Sequence, residues 1–177
     1  MSAIVLEIEI KAWCDNRNEV INRIVSLGGV MFKRVRERDI YYSHPCRDFA
    51  ETDEALRIRI EDNTYTLTYK GPKLGKRSKS RFEEEVLFNE LSAMKSILNE
   101  IGFVEVDNVV KVRDIYILNN VEICVDRVDG VGDFVELEKM GGDRESTESE
   151  LFALAEELGL KRFERRSYLE LKLEIKE

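Results

Sequence analysis

The residues of this chain with the most chemical capacity come in like-charged pairs two positions apart: Glu7 and Glu9, Arg57 and Arg59, Lys111 and Arg113, Glu136 and Glu138. Residues two apart on an extended strand share a face and lie about 6.5–7 Å from one another, so like charges there repel unless something of opposite sign stands between them. A ligand can supply that sign. Basic pairs suit phosphate oxygens, and acidic pairs suit Mg²⁺ or Mn²⁺, hard cations that take carboxylate oxygen. The competing reading is an ordinary half-buried sheet with solvated charges and cross-strand salt bridges. Against it, nearly every polar-face position is a full charge, whereas solvated strands usually mix charges with Ser, Thr and Gln. No Ser/His/Asp or Cys/His arrangement is visible, and the sole histidine, His44, precedes Pro45 in a turn-like segment, so covalent nucleophilic catalysis is disfavoured.

The elements that must position these charges are mostly strands of period two, expected over 3–12, 30–42, 54–61, 64–70, 81–88, 109–118, 120–128 and 132–139. On each, apolar residues oppose charged ones: Ile8 and Ile10 against Glu7, Glu9 and Lys11; Leu56, Ile58 and Ile60 against Arg57 and Arg59; Val135 and Leu137 against Glu136 and Glu138. Glu61 to Thr64 and Asn119–Asn120 read as hairpin turns, and short connections favour antiparallel pairing. Three segments instead have helical spacing, at Val20–Leu27, Leu91–Ile101 and Leu151–Leu158, stopped by Gly28, Gly102 and Gly159. Thr147 with Glu150 reads as a capping box for the third. If the sheet closes with its charged face inward, the helices cover an apolar exterior. The expected fold is therefore α+β: a closed antiparallel β-barrel of about eight strands, helices packed outside, enclosing a charged tunnel wide enough for one small ligand.

At 177 residues, with no Pro- or Gly-rich linker, residues 1–177 are expected to form a single domain. A net charge of −8 argues against a broad nucleic-acid or anionic-membrane surface. Three scattered cysteines and the lack of a ~20-residue apolar run point to a cytoplasmic protein off the membrane.

Beyond this pattern, Glu7-Ile8-Glu9-Ile10-Lys11 matches the ExExK signature of the CYTH superfamily of triphosphate tunnel metalloenzymes. The resemblance continues in family order through Leu56-Arg57-Ile58-Arg59, Tyr69-Lys70-Gly71-Pro72, Arg81 with Glu83 and Glu85, Lys111-Val112-Arg113, and Asp126 to Glu138. The stretch from Lys111 to Asp143 and the ending Arg166-Ser167-Tyr168 look most like the class IV adenylyl cyclase branch. The resemblance implies that Glu7, Glu9, Asp126, Glu136 and Glu138 hold Mg²⁺ or Mn²⁺ or support it, with Glu83 and Glu85 as weaker candidates. It implies that Lys11, Arg57, Arg59, Lys70, Arg81, Lys111 and Arg113 hold the phosphate chain of ATP or another triphosphate, and that Lys11 and Asp126 stand nearest the chemistry. Conversion of ATP to 3′,5′-cyclic AMP and pyrophosphate is the expected reaction. The alternatives are hydrolysis of thiamine or inorganic triphosphate and a non-catalytic nucleotide or polyphosphate binder. The basic run Gly71–Ser80, with Lys73, Lys76, Arg77 and Lys79, reads as a solvated loop, as a weak nucleic-acid contact or, slightly preferred, as a lid over the ligand, and residues 165–168 read either as a closure of the tunnel's other end or as a terminal helix packed on the barrel. A homodimer is left open.

Overall fold

A computed structural model describes residues 7–74, 78, 81–141 and 143–176. The elements run β1 (Glu7–Trp13), α1 (Arg17–Ser26), β2 (Val30–Ser43), β3 (Ala55–Glu61), β4 (Thr64–Lys70), β5 (Glu83–Phe88), α2 (Leu91–Glu100), β6 (Val104–Leu118), β7 (Val121–Val128), β8 (Gly132–Met140), α3 (Arg144–Glu157) and α4 (Tyr168–Lys176). All eight strands join one antiparallel sheet in the order β1-β8-β7-β6-β2-β3-β4-β5. The sheet curls into a half-barrel, and its two edges meet at an isolated antiparallel bridge between Glu7 and Arg81.

The alternation resolves as the charge argument expects, with apolar residues outside and charges within. Ile8, Ile10, Ile123, Val125, Val135 and Leu137 on the outer face of β1, β7 and β8 pack under Val20 and Ile24 of α1 and Leu151 and Ala155 of α3. On the other flank Ile40, Tyr42, Leu56 and Ile58 are covered by α2 through Leu98, with Leu91 and Met94 beside it. Burying such side chains stabilises each by about 1.5–3 kcal/mol, so the helices hold the sheet curled with its polar face enclosed. A third apolar cluster lies on the inner side: Tyr41, Val109, Val128 and Phe134 meet Tyr168 and Leu171 of α4. The carboxyl-terminal helix thus plugs one end of the half-barrel, joining the two readings of residues 165–168.

Both asparagines of the β6–β7 turn take positive φ, 47° at Asn119 and 64° at Asn120, as a two-residue hairpin requires. The third helix begins earlier than its expected cap. Asp143 is its N-cap, accepting a hydrogen bond from the Ser146 amide at 2.8 Å, while Thr147 is buried within the first turns. β6 also begins five residues before the expected start, at Val104, because it pairs with nearly the whole of β2. Residues 3–6 of the expected first strand, and Gly75, Lys76, Arg77, Lys79 and Ser80 of the expected lid, lie outside the described residues. Among the described residues no helix is long and apolar enough to cross a membrane.

Candidate functional site

The inward faces of the strands enclose a cavity of about 730 Å³. Its basic wall is built by register. The inward residues of β2, Glu37 and Asp39, stand opposite Lys111 and Val109 of β6 on one side and opposite Glu61 and Arg59 of β3 on the other. Asp39 becomes an anchor for three cations: Arg59 binds it through two hydrogen bonds of 2.8 Å, Arg57 donates at 3.3 Å, and Lys111 lies 3.7 Å away. Glu37 reaches Lys111 at 3.0 Å and Arg59 at 3.1 Å. Lys70 of β4 pairs with Glu83 of β5 at 2.7 Å, and burial together with Arg57 lowers its pKa. Arg81 also lines the cavity, 3.9 Å from Asp53. Arg57 is only partly satisfied: beyond Asp39 it lies 3.8 Å from Glu83 and 3.9 Å from Glu85, and its buried Nε has no hydrogen-bond partner. A buried guanidinium N–H without a partner is costly, and an anion's oxygen would satisfy it.

The acidic wall comes from β1 and β8, where Glu9 and Glu138 are direct cross-strand partners. One carboxylate oxygen each from Glu7, Glu9 and Glu138 lie within 4.8 Å of one another. Burial first, then Lys70 in opposition and Glu83 and Glu9 in support, leave the Glu7 carboxyl raised to about 7. Burial and the adjacent Glu7 push Glu138 well above the usual carboxylate range, although Arg113 lies 3.8 Å away. Three carboxylates crowded in this way fit a divalent cation, whose charge would relieve their repulsion.

Between the walls stands Arg113. It forks onto Asp126 at 2.8 and 2.6 Å and also reaches Glu136. Asp126 accepts a further hydrogen bond from the Tyr168 hydroxyl at 2.7 Å. Tyr168 in turn lies beneath Lys11, whose Nζ is 4.1 Å from the ring centroid, bonds the Arg166 carbonyl and stands 3.9 Å from Glu136. Neither Asp126 nor Lys11 lines the cavity. Glu7, Glu9, Glu136 and Glu138, and Arg57, Arg59, Lys70, Arg81, Lys111 and Arg113, all do.

A protein-family model for the CYTH domain matches residues 6–168. The chain belongs to the CYTH domain family. A Methanocaldococcus jannaschii protein named "Putative adenylate cyclase" is 40% identical to this CYTH chain over 173 residues, covering 95% of it and 99% of the relative. A solved structure from Pyrococcus horikoshii superposes with a TM-score of 0.89 at 40% identity, covering 96% of this chain and 99% of that one. A Hippeastrum protein described as a "Putative adenylyl cyclase" with "a dominant triphosphatase activity" shares the fold, with a TM-score of 0.72 at 17% identity over 96% of this chain and 95% of that one.

Two residues of this CYTH site escape a reading by alternation. Glu37 and Asp39 sit in a run, Val35 to Ile40, where both faces of β2 are polar: Arg36 and Arg38 are exposed while Glu37 and Asp39 are buried. Only pairing with Lys111 and Arg59 identifies the inner face. Tyr168 was visible only as part of a terminal segment, and its hydroxyl gains meaning from Asp126, 42 residues away in sequence.

The buried anchor gives a pH prediction. Burial alone would raise the Glu37 carboxyl, but Lys111, Arg59 and Arg113 overcome it and hold it at about 2, below its ordinary 4.5. Asp39 is likewise lowered, the two arginines and Lys111 outweighing its burial. A carboxyl with a depressed folded-state pKa contributes stability above its unfolded pKa and loses it as pH falls through the folded value. The thermal midpoint should therefore fall as pH drops from 4.5 towards 2, and Glu37→Gln should fall less steeply. Identical slopes for the two proteins would remove Glu37 from this role.

Proposed function

We propose that this CYTH chain is a divalent-metal-dependent adenylyl cyclase, converting ATP to 3′,5′-cyclic AMP and pyrophosphate. The observation that carries this reading is the meeting, in one enclosed cavity, of Arg57, Arg59, Lys70, Lys111 and Arg113 with the carboxylate group of Glu7, Glu9 and Glu138. A polyanion explains the basic wall, and a polyanion accompanied by metal explains why carboxylates face it. Similarity at 40% identity, over nearly the whole of both chains, to the Methanocaldococcus jannaschii protein of that name supports the cyclase assignment.

Mg²⁺ or Mn²⁺ held by Glu7, Glu9 and Glu138 would neutralise charge on the phosphate oxygens. The basic residues bind and orient the triphosphate, with Arg57 offering its unpartnered Nε. The ribose 3′-oxygen attacks the α-phosphorus, the bond from that phosphorus to the bridging oxygen breaks, and pyrophosphate leaves with the electron pair. The 3′-hydroxyl gives up its proton to water. The basic wall stabilises the charge gathering on the departing pyrophosphate. Asp126 and Lys11 act as positioning residues: Asp126 fixes Arg113 and Tyr168, and Lys11 stands beside Glu136.

The triphosphatase alternative has its own support in the activity described for the Hippeastrum protein of the same fold. Both reactions use the same positioning and charge neutralisation, differing in whether the 3′-hydroxyl attacks the α-phosphorus or water attacks the terminal one. Product identity separates them. Purified protein given ATP with Mg²⁺ or Mn²⁺ at alkaline pH should form cyclic AMP and pyrophosphate, with tripolyphosphate inhibiting and 3′-deoxy-ATP inert. Orthophosphate from tripolyphosphate or thiamine triphosphate, with no cyclic AMP from ATP, would establish the hydrolase instead. No turnover with any of the three would leave a binder.

A further inference from the structure

Apolar residues enter the lining towards one end of the cavity. Along β6 the inward residues pass from Lys111 and Arg113 to Ile115 and Ile117; along β8 they pass from Glu136 and Glu138 to Met140. At roughly 3.4 Å per residue, Ile117 lies about 13–14 Å along its strand from Arg113. Towards the end of the half-barrel away from the α4 plug these apolar side chains line the cavity beside charged ones: Lys33 stands across from Ile115, Glu122 from Ile117 and Glu7 from Met140. Lys33 is held there by Glu61 at 2.6 Å and Glu122 would repel an anion, so this end does not suit phosphate.

β2 adds a further residue there by departing from regular pairing. Its register against β6 shifts between Met31, opposite Tyr116, and Lys33, opposite Ile115, leaving Phe32 as the extra residue of a bulge. Bulges at barrel rims re-aim a side chain, and here Phe32 and its neighbour Lys33 both line the cavity, which strict alternation forbids. Phe32 is 68% exposed and packs in none of the apolar clusters. The β6–β7 turn brings Asn120 to the same rim. Its carboxamide presents a donor and an acceptor side by side, the pair that complements the N6/N7 edge of adenine.

We propose that this rim is a nucleobase subsite, in which Phe32, Ile117 and Met140 hold the base of a nucleoside triphosphate and Asn120 contacts its polar edge. The proposal rests on the reading of the charged band as a triphosphate site and specifies the ligand as nucleoside rather than inorganic. A bare tripolyphosphate has no apolar group to place against Phe32, Ile117 and Met140. A nucleoside triphosphate extends beyond its phosphates by a sugar and a base, and the base finds an aromatic face on which to stack.

Calorimetric titration of the wild type, Phe32→Ala and Asn120→Gly with ATP and with tripolyphosphate, each with Mg²⁺, tests it. Phe32 is exposed, and glycine accepts the positive φ of position 120, so both variants should fold. Phe32→Ala is expected to weaken ATP about tenfold and leave tripolyphosphate unchanged. Asn120→Gly should weaken ATP by about threefold to tenfold, again without effect on tripolyphosphate. If Phe32→Ala changes both ligands equally, or neither, the subsite is overturned while the triphosphate site stands. If the wild type binds neither ligand, the triphosphate reading falls and takes the subsite with it.

Discussion

Replacing Glu138 by glutamine is expected to cut metal-dependent turnover by at least about a hundredfold without lowering stability. Loss of a group that merely supports a metal ligand costs about 10- to 100-fold, so loss of a ligand itself should cost no less. Glu138 stands directly across from Glu9 and shares with it and Glu7 a carboxylate cluster whose oxygens lie within 4.8 Å of one another. Its carboxyl is raised by burial and by Glu7, which means that its charge is a burden on the metal-free fold. Glutamine keeps the shape and removes that burden, so the urea midpoint should match or exceed the wild type while activity is lost. Glu9→Gln should lose turnover likewise. Wild-type turnover at saturating Mg²⁺ or Mn²⁺ would take Glu138 out of the metal set.

Arg113→Ala should have the largest effect on stability, a loss of about 3–5 kcal/mol measured by chemical denaturation. Arg113 is buried, and its one guanidinium meets Asp126, Glu136 and Glu138. Alanine leaves those acidic groups buried beside one another without their shared cation. Asp126 would keep the Tyr168 hydroxyl as a donor, which offsets only part of the loss. Arg113→Lys should fall between the two, since lysine restores the charge but not the fork that meets both Asp126 oxygens. A change of under about 1 kcal/mol in Arg113→Ala, the scale of an average substitution, would show that water compensates the carboxylates and that this network is not a structural anchor.

Strand existence and facing were legible in the sequence wherever one face was uniformly apolar. Ile8 and Ile10, Ile58, Val135 and Leu137 are all fully or almost fully buried on the outer side, as their alternation with charges requires. That the charged face turns inward was legible too, because pairs such as Arg57/Arg59 and Glu7/Glu9 repel on an open surface and need counter-charge. The three glycine stops were equally local: Gly28, Gly102 and Gly159 have φ of 93°, 95° and 76°, a region that glycine enters without steric cost.

Partnership between charges was decided by tertiary structure alone. Ten basic and acidic residues inferred for the site do line one cavity, but their sequence says nothing of which cation neutralises which carboxylate. The register of β2 between β3 and β6 makes Asp39 and Glu37 the counter-ions of Arg57, Arg59 and Lys111, although polar residues on both faces of β2 hide them from any reading by alternation. The curl of the sheet and the docking of α4 draw Lys11 and Asp126 behind the cavity wall, against Tyr168, even though both share strand faces with residues that line it. The bulge at Phe32 is likewise a property of two paired strands. Period-two alternation is a local rule set by the backbone of one strand, so a single sequence carries it; register, curl and ion pairing depend on groups tens of residues apart, and only the folded chain brings them within reach.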